Sequence, residues 1–142
     1  MTDDRTGRVR GIGGVFFKSA DSAATRAWYA KHLGLATDDY GTNFVWRQAD
    51  APDQAGHTQW SPFKGDTAYF GDADQQFMIN YRVDDLAALV ARLRAEGVEI
   101  VDEIQTESYG KFVHIVDNDG RRVELWEPVD EEYATMLDGV TK

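Results

Sequence analysis

Two kinds of hydrophobic pattern alternate along the chain. Leu86, Leu89, Val90 and Leu93 fall at i, i+3, i+4 and i+7, the spacing that puts four side chains on one face of a helix. Asp84 or Asp85 stands before them as a side-chain acceptor for the first backbone N–H groups, and Gly97 follows as a left-handed stop. The same frame occurs earlier, with Asp21 as cap, Ala24, Trp28 and Leu33 on one side, and Gly34 as stop. Between these helices lie short segments rich in aromatic and β-branched residues, which predict strands at 44–47, 58–63 and 67–70, then at 98–103, 112–116 and 122–126. A leading strand precedes each helix, in GVFFKSAD (14–21) and in MINYRVDD (78–85). The halves therefore superimpose at an offset of about 63, each as strand, helix and three strands. Asp117-Asn118-Asp119-Gly120 predicts a tight turn between the last two strands. Residues 49–56 are expected to form a mobile loop, and 130–137 a short acidic helix.

This pattern implies one domain spanning residues 1–142, made of a first βαβββ module at 10–72, a second at 75–128, and a terminal segment at 129–142. No linker divides the halves, because either module alone is too small to cover its own sheet. A chain of 142 residues buries enough surface for a core without covalent staples. It contains no cysteine, which excludes disulfides, thiolate metal sites and a cysteine nucleophile. The formal charge of −10 argues against nucleic-acid and anionic-membrane partners, and only Arg5, Arg8 and Arg10 cluster with positive sign. No leader-like apolar stretch opens the sequence, so a cytoplasmic location is expected. Four Trp, six Tyr and seven Phe favour a packed domain or an aromatic-lined pocket. Gly11-Ile12-Gly13-Gly14 precedes a strand and lacks the helix and Lys that a phosphate loop needs.

The tandem βαβββ pattern, the Trp28-Tyr29 pair before Leu33-Gly34-Leu35, and the closing Asp-Gly-x-x-Val-Glu-Leu-Trp-Glu-Pro together resemble the glyoxalase/bleomycin-resistance/dioxygenase, or vicinal-oxygen-chelate, superfamily over about residues 10–128. The resemblance implies an α+β fold in which the modules form a curled mixed sheet, a half-barrel around a cavity. It also implies a metal held by residues of the first and last strands of the modules, commonly His, His or Gln, and Glu. Carried over by position, the first-strand ligands fall at Gly14 and Met78, neither of which serves, while Glu124 matches the final carboxylate. The first module's equivalent of Glu124 falls between Thr67 and Tyr69, where no donor stands. One carboxylate does not hold a divalent transition metal. No metal and no cofactor is therefore expected.

By the family's pattern Glu124 and His114 face inward, and strand alternation then brings Arg122, Trp126, Phe112, Met78 and Asn80 to the same wall. Phe16 and Lys18 face inward from the first strand, with open space at Gly14, and Trp46, Trp60, Tyr69 and Tyr109 are further wall candidates. A Trp in a strand equally serves a core, and Tyr109 beside Gly110 equally serves as a turn aromatic. His114 and Glu124 are candidate catalytic residues as a hydrogen-bonded acid/base pair. The alternative is a carboxylate neutralised by His114 or Arg122 that does no chemistry. His57 is expected at the surface, and Glu99, Asp102, Glu103 and Glu107 as a solvated edge.

Three functions are open at this point. The first is metal-free binding or sequestration of a small organic ligand, as in the family's antibiotic-resistance members. The second is a metal-independent lyase or isomerase using His114 and Glu124, and the third a metal-dependent glyoxalase or dioxygenase. A homodimer is expected on the resemblance.

Overall fold

The computed structural model describes residues 7–142; Arg5 of the basic cluster and the first residues of the chain lie outside the described residues. The element order is β1 (Val9–Ser19), α1 (Ser22–Leu33), β2 (Thr42–Gln48), β3 (Ala51–Lys64), β4 (Phe77–Val83), α2 (Leu86–Ala95), β5 (Gln105–Glu107), β6 (Gly110–Val116), β7 (Arg122–Pro128), α3 (Asp130–Ala134) and β8 (Val140–Thr141). The strands form one mixed α+β sheet in the order β5-β6-β7-β4-β1-β3-β2-β8, curled and not closed into a barrel. β1 and β4 pair antiparallel at its centre, and each has its own half's last strand as a parallel neighbour, β3 beside β1 and β7 beside β4.

Both helix starts follow from their sequence. Asp21 accepts from the Ala24 N–H and Asp85 from the Ala88 N–H. Asp84, the other candidate cap, instead accepts from the Gly7 and Arg8 backbone N–H groups and ion-pairs with Arg10. The two helices differ in packing. Leu86, Leu89 and Val90 of α2 join Val83, Val113 and Leu125 in the main core, each contributing about 2 kcal/mol by burial. No residue of α1 is fully buried, and the expected inner face of Ala24, Trp28 and Leu33 is not one: Trp28 and Leu33 are 53% and 60% exposed. Tyr29 carries the contact instead, its ring 4.6 Å from that of Trp60.

Several expected elements differ. Residues 67–70 are turns, because β3 already completes the first half. The expected loop at 49–56 is mostly strand: β2 turns back tightly after Gln48, and β3 pairs with it from Ala51 onward. Residues 98–103 contribute one isolated bridge, Ile100 to Ile115, and the edge strand is β5. The acidic terminal helix is present but ends at Ala134.

The terminal segment is anchored to the sheet. Arg82 donates both terminal nitrogens to the Asp130 carboxylate, at 2.8 Å and 2.7 Å. His57 also meets Asp130, its Nδ1 at 3.3 Å, so His57 is 3% exposed rather than a surface residue. The Tyr133 hydroxyl donates to Asn43 Oδ1 at 2.8 Å, and burial pushes that phenol up to about 12. Burial opposes ionisation of Asp130, yet the bonds from His57 and Arg82 outweigh it and hold the carboxyl at about 2.

Candidate functional site

Register places a row of polar positions across the sheet. Gln59 of β3 pairs with Gly14 of β1, Gly14 with Asn80 of β4, Asn80 with Glu124 of β7, and Glu124 with His114 of β6. A bulge in β1 between Ile12 and Gly14 lets Gly13 lie against Asn80: a Cβ there would stand 2.2 Å from Asn80 Oδ1. Only glycine permits that approach. Gly14 leaves no open space, because a Cβ there would fall 2.6 Å from the Phe16 ring, which fills the position.

Glu124, 2% exposed, is the centre of the row. Its Oε1 accepts from Asn80 Nδ2 at 2.7 Å, and its Oε2 accepts from the Tyr69 hydroxyl and from His114 Nε2, the latter at 2.8 Å. His114 Nδ1 meets Asp102 Oδ2 at 2.7 Å, and Asp102 Oδ1 accepts the His114 backbone N–H at 2.8 Å. The side chains form one chain: Asp102, His114, Glu124, Tyr69. Burial opposes a charged imidazole, but the hydrogen bonds and charges of Glu124 and Asp102 outweigh it, and the His114 pKa is raised above 6.5. Both ring nitrogens then donate to carboxylates. Burial, followed by the charge and hydrogen bond of Glu124, pushes the Tyr69 phenol well above its ordinary range.

This chain forms one wall of a cavity of about 610 Å³, within the range of small-molecule sites. Phe16, Phe63, Tyr109 and Phe112 supply apolar walls, and Gln59, Gln105, Glu107 and Arg122 supply polar groups. Phe63 and Tyr69 stack at 5.7 Å and 12°, and Phe112 stacks on Trp126 at 5.6 Å and 7°.

The structure thus gathers Phe16, Tyr69, Asn80, Tyr109, Phe112, His114, Arg122, Glu124 and Trp126 at or directly behind the cavity. Three expected wall residues are elsewhere. Trp60 lies under α1 against Tyr29 and Phe17. Trp46 donates to Thr58 and carries the Arg82 guanidinium 5.1 Å from its ring, in a separate cleft. Met78 is buried in an apolar cluster with Phe16 and Phe70. Lys18 donates to the Ala73 carbonyl at 2.9 Å. Arg122 does not neutralise Glu124, since its Nη1 reaches back to the Tyr69 carbonyl at 3.4 Å.

Two positions of this candidate site escape sequence reasoning. Asp102 is assigned there to a solvated edge, and no spacing rule links a residue in an irregular segment to a strand residue twelve positions later. Gln59 escapes because the strand beside β1 is expected at 67–70 instead of in β3. The residues do not fit the metal that the fold implies. Gly14 and Met78 offer no oxygen or nitrogen, both Glu124 oxygens already hold donors, and both His114 nitrogens face carboxylates. Among the described residues no group of three or more His, Cys, Asp or Glu side chains converges to hold an ion.

The fold and this cavity define a class: paired α+β modules curled around a small-molecule-sized site. The chain belongs to the Glyoxalase/Bleomycin resistance protein/Dioxygenase superfamily, whose family model matches residues 12–125. No curated protein matches it significantly. Among solved structures it is similar to methylmalonyl-CoA epimerase from Mycobacterium tuberculosis, with 23% identity, a TM-score of 0.60, and coverage of 94% of this chain and 97% of that one. A Streptomyces coelicolor methylmalonyl-CoA epimerase variant bound to 2-nitronate-propionyl-CoA gives 17% identity, a TM-score of 0.64, and coverage of 86% and 99%. A superfamily member from Vibrio splendidus 12B01 gives 14% identity, a TM-score of 0.51, and coverage of 86% and 99%. At these identities the likeness is one of fold.

Proposed function

We propose that this protein binds and sequesters a small organic ligand in the aromatic-walled cavity without a catalytic metal. The observation that carries the reading is that the site's charged side chains are already bonded to one another. Glu124 accepts from three side chains, and neither nitrogen of His114 is left for a ligand. General acid/base catalysis by this pair would require the His114–Glu124 bond to open toward the substrate. Epimerisation of the kind carried out by the structural neighbours needs a base beside the reacting carbon, so the likeness to them is taken as architecture. The surface offered to a ligand is aromatic rings, amides, the Glu107 carboxylate and the Arg122 guanidinium, a composition suited to recognition.

The test is equilibrium binding of a library of planar aromatic compounds, followed by tryptophan fluorescence, with recovery of each bound compound for mass spectrometry. Recovery of unchanged ligand is expected, with affinity lost in Ala68→Trp, which fills the cavity from its wall. A chemically altered ligand, with turnover abolished by His114→Ala, would replace this reading with the acid/base one.

A further inference from the structure

The cavity has a sign as well as a shape. Asp102, Glu107 and Glu124 bring three carboxylates to its lining, against His114 and Arg122. His114 lies between two of those carboxylates, so with its imidazole protonated the trio keeps one net negative charge. Arg122 lines the same cavity, donates its Nη1 to the Tyr69 carbonyl, and offsets one of the carboxylates, so the lining as a whole keeps a net negative charge. Glu107, on the exposed edge strand β5, makes no ion pair among the described residues. The two cavity phenols register this field. Burial raises both first, and then Glu124 raises Tyr69 further, while Glu107 and Glu124 raise Tyr109. The rings lining the cavity include Phe63, stacked parallel to Tyr69, and Phe112, which stacks on Trp126 and meets the Tyr109 ring edgewise. Aromatic faces carry negative charge at their centres and attract cations, the more so where water is excluded.

We infer that the ligand is a planar organic cation, an aromatic or heteroaromatic ring system carrying a positive charge, seated between the Phe112 and Phe63–Tyr69 faces with its charge toward Glu107 and Glu124. This inference rests on the ligand-binding reading of the same cavity. A neutral planar compound gains the ring contacts alone. An anionic one meets the carboxylates at the cavity mouth.

The experiment uses the full chain and three probes of matched shape and different charge: 1-methylquinolinium, 1-naphthalenemethanol and 1-naphthoate. Dissociation constants are measured by isothermal titration calorimetry at low ionic strength. The cation is expected to bind about tenfold more tightly than either partner probe. Glu107→Gln, an exposed substitution compatible with the fold, is expected to reduce that advantage about threefold and to leave the neutral probe unchanged. Equal or tighter binding of the neutral or anionic probe overturns the inferred charge and leaves the cavity's binding role standing. A cation preference indifferent to Glu107→Gln overturns the assigned orientation. Binding of none of the three overturns both the inference and the reading beneath it.

Discussion

Among single residues, Glu124 is the one whose bonding sets the character of the site. Tyr69→Phe removes one donor from a carboxylate that keeps two others, and is expected to cost about 1.5 kcal/mol in urea unfolding. His114→Ala removes the cation between Glu124 and Asp102 and is expected to cost about 3 kcal/mol, because it leaves a buried carboxylate without its charged partner. The folded-state pKa of His114 is raised above 6.5, so its contribution is complete below pH 6.5 and is lost as pH rises through the folded value. Asp130 behaves in the opposite sense: held at about 2 against an ordinary 3.8, it contributes fully above pH 3.8 and loses that contribution as pH falls toward 2. Thermal melts across pH are expected to show a plateau between these limits, with the alkaline shoulder absent in His114→Ala. A shoulder unchanged by that substitution would mean that His114 is not charged in the fold. The pairing of His114 with Glu124 was legible from inward alternation and family pattern. Asp102 was not, because its reach to His114 depends on the path of an irregular segment.

At the scale of elements, the helix caps and stops were legible because they are local: Asp21, Asp85, Gly34 and Gly97 each act within a turn of their own position, both glycines at positive φ. The burial of α1 was not, since a 3.6-residue pattern marks a face without showing how closely the sheet approaches it. The strand expected at 58–63 is part of β3, but the first residues of β3, 51–56, read as a loop because of their Pro and small residues, while their strand character comes from pairing with β2. Gln59 stands inside the strand expected at 58–63, and it escapes because a further strand is expected at 67–70. Asp130→Ala leaves Arg82 buried without its bidentate partner, and is expected to cost about 2–3 kcal/mol and to make α3 and β8 susceptible to proteolysis. Gly13→Ala drives a methyl into Asn80 Oδ1 and is expected to weaken ligand binding while α2 and its core keep their protection from hydrogen exchange. Normal binding in Gly13→Ala would show that the close approach of β1 to Asn80 is not what positions Glu124.

At the scale of the whole molecule, the two halves join within one chain: β1 and β4 pair at the centre of a single eight-stranded sheet, and the cavity draws on both, with Phe16 and Gln59 from one half and Phe112, His114 and Glu124 from the other. The repeat in the sequence anticipated that architecture, and the missing donors at Gly14 and Met78 were legible before any geometry. What the geometry adds is that the one matching carboxylate, Glu124, is already committed to three donors. Protein side chains thus stand around the one carboxylate that a metal would otherwise use. Elemental analysis by inductively coupled plasma mass spectrometry tests this most directly, on protein incubated with Zn, Ni, Fe and Mn and then desalted. Well under one metal per chain is expected in every case; about one tightly held metal per chain would show that Glu124 and His114 open to coordinate an ion.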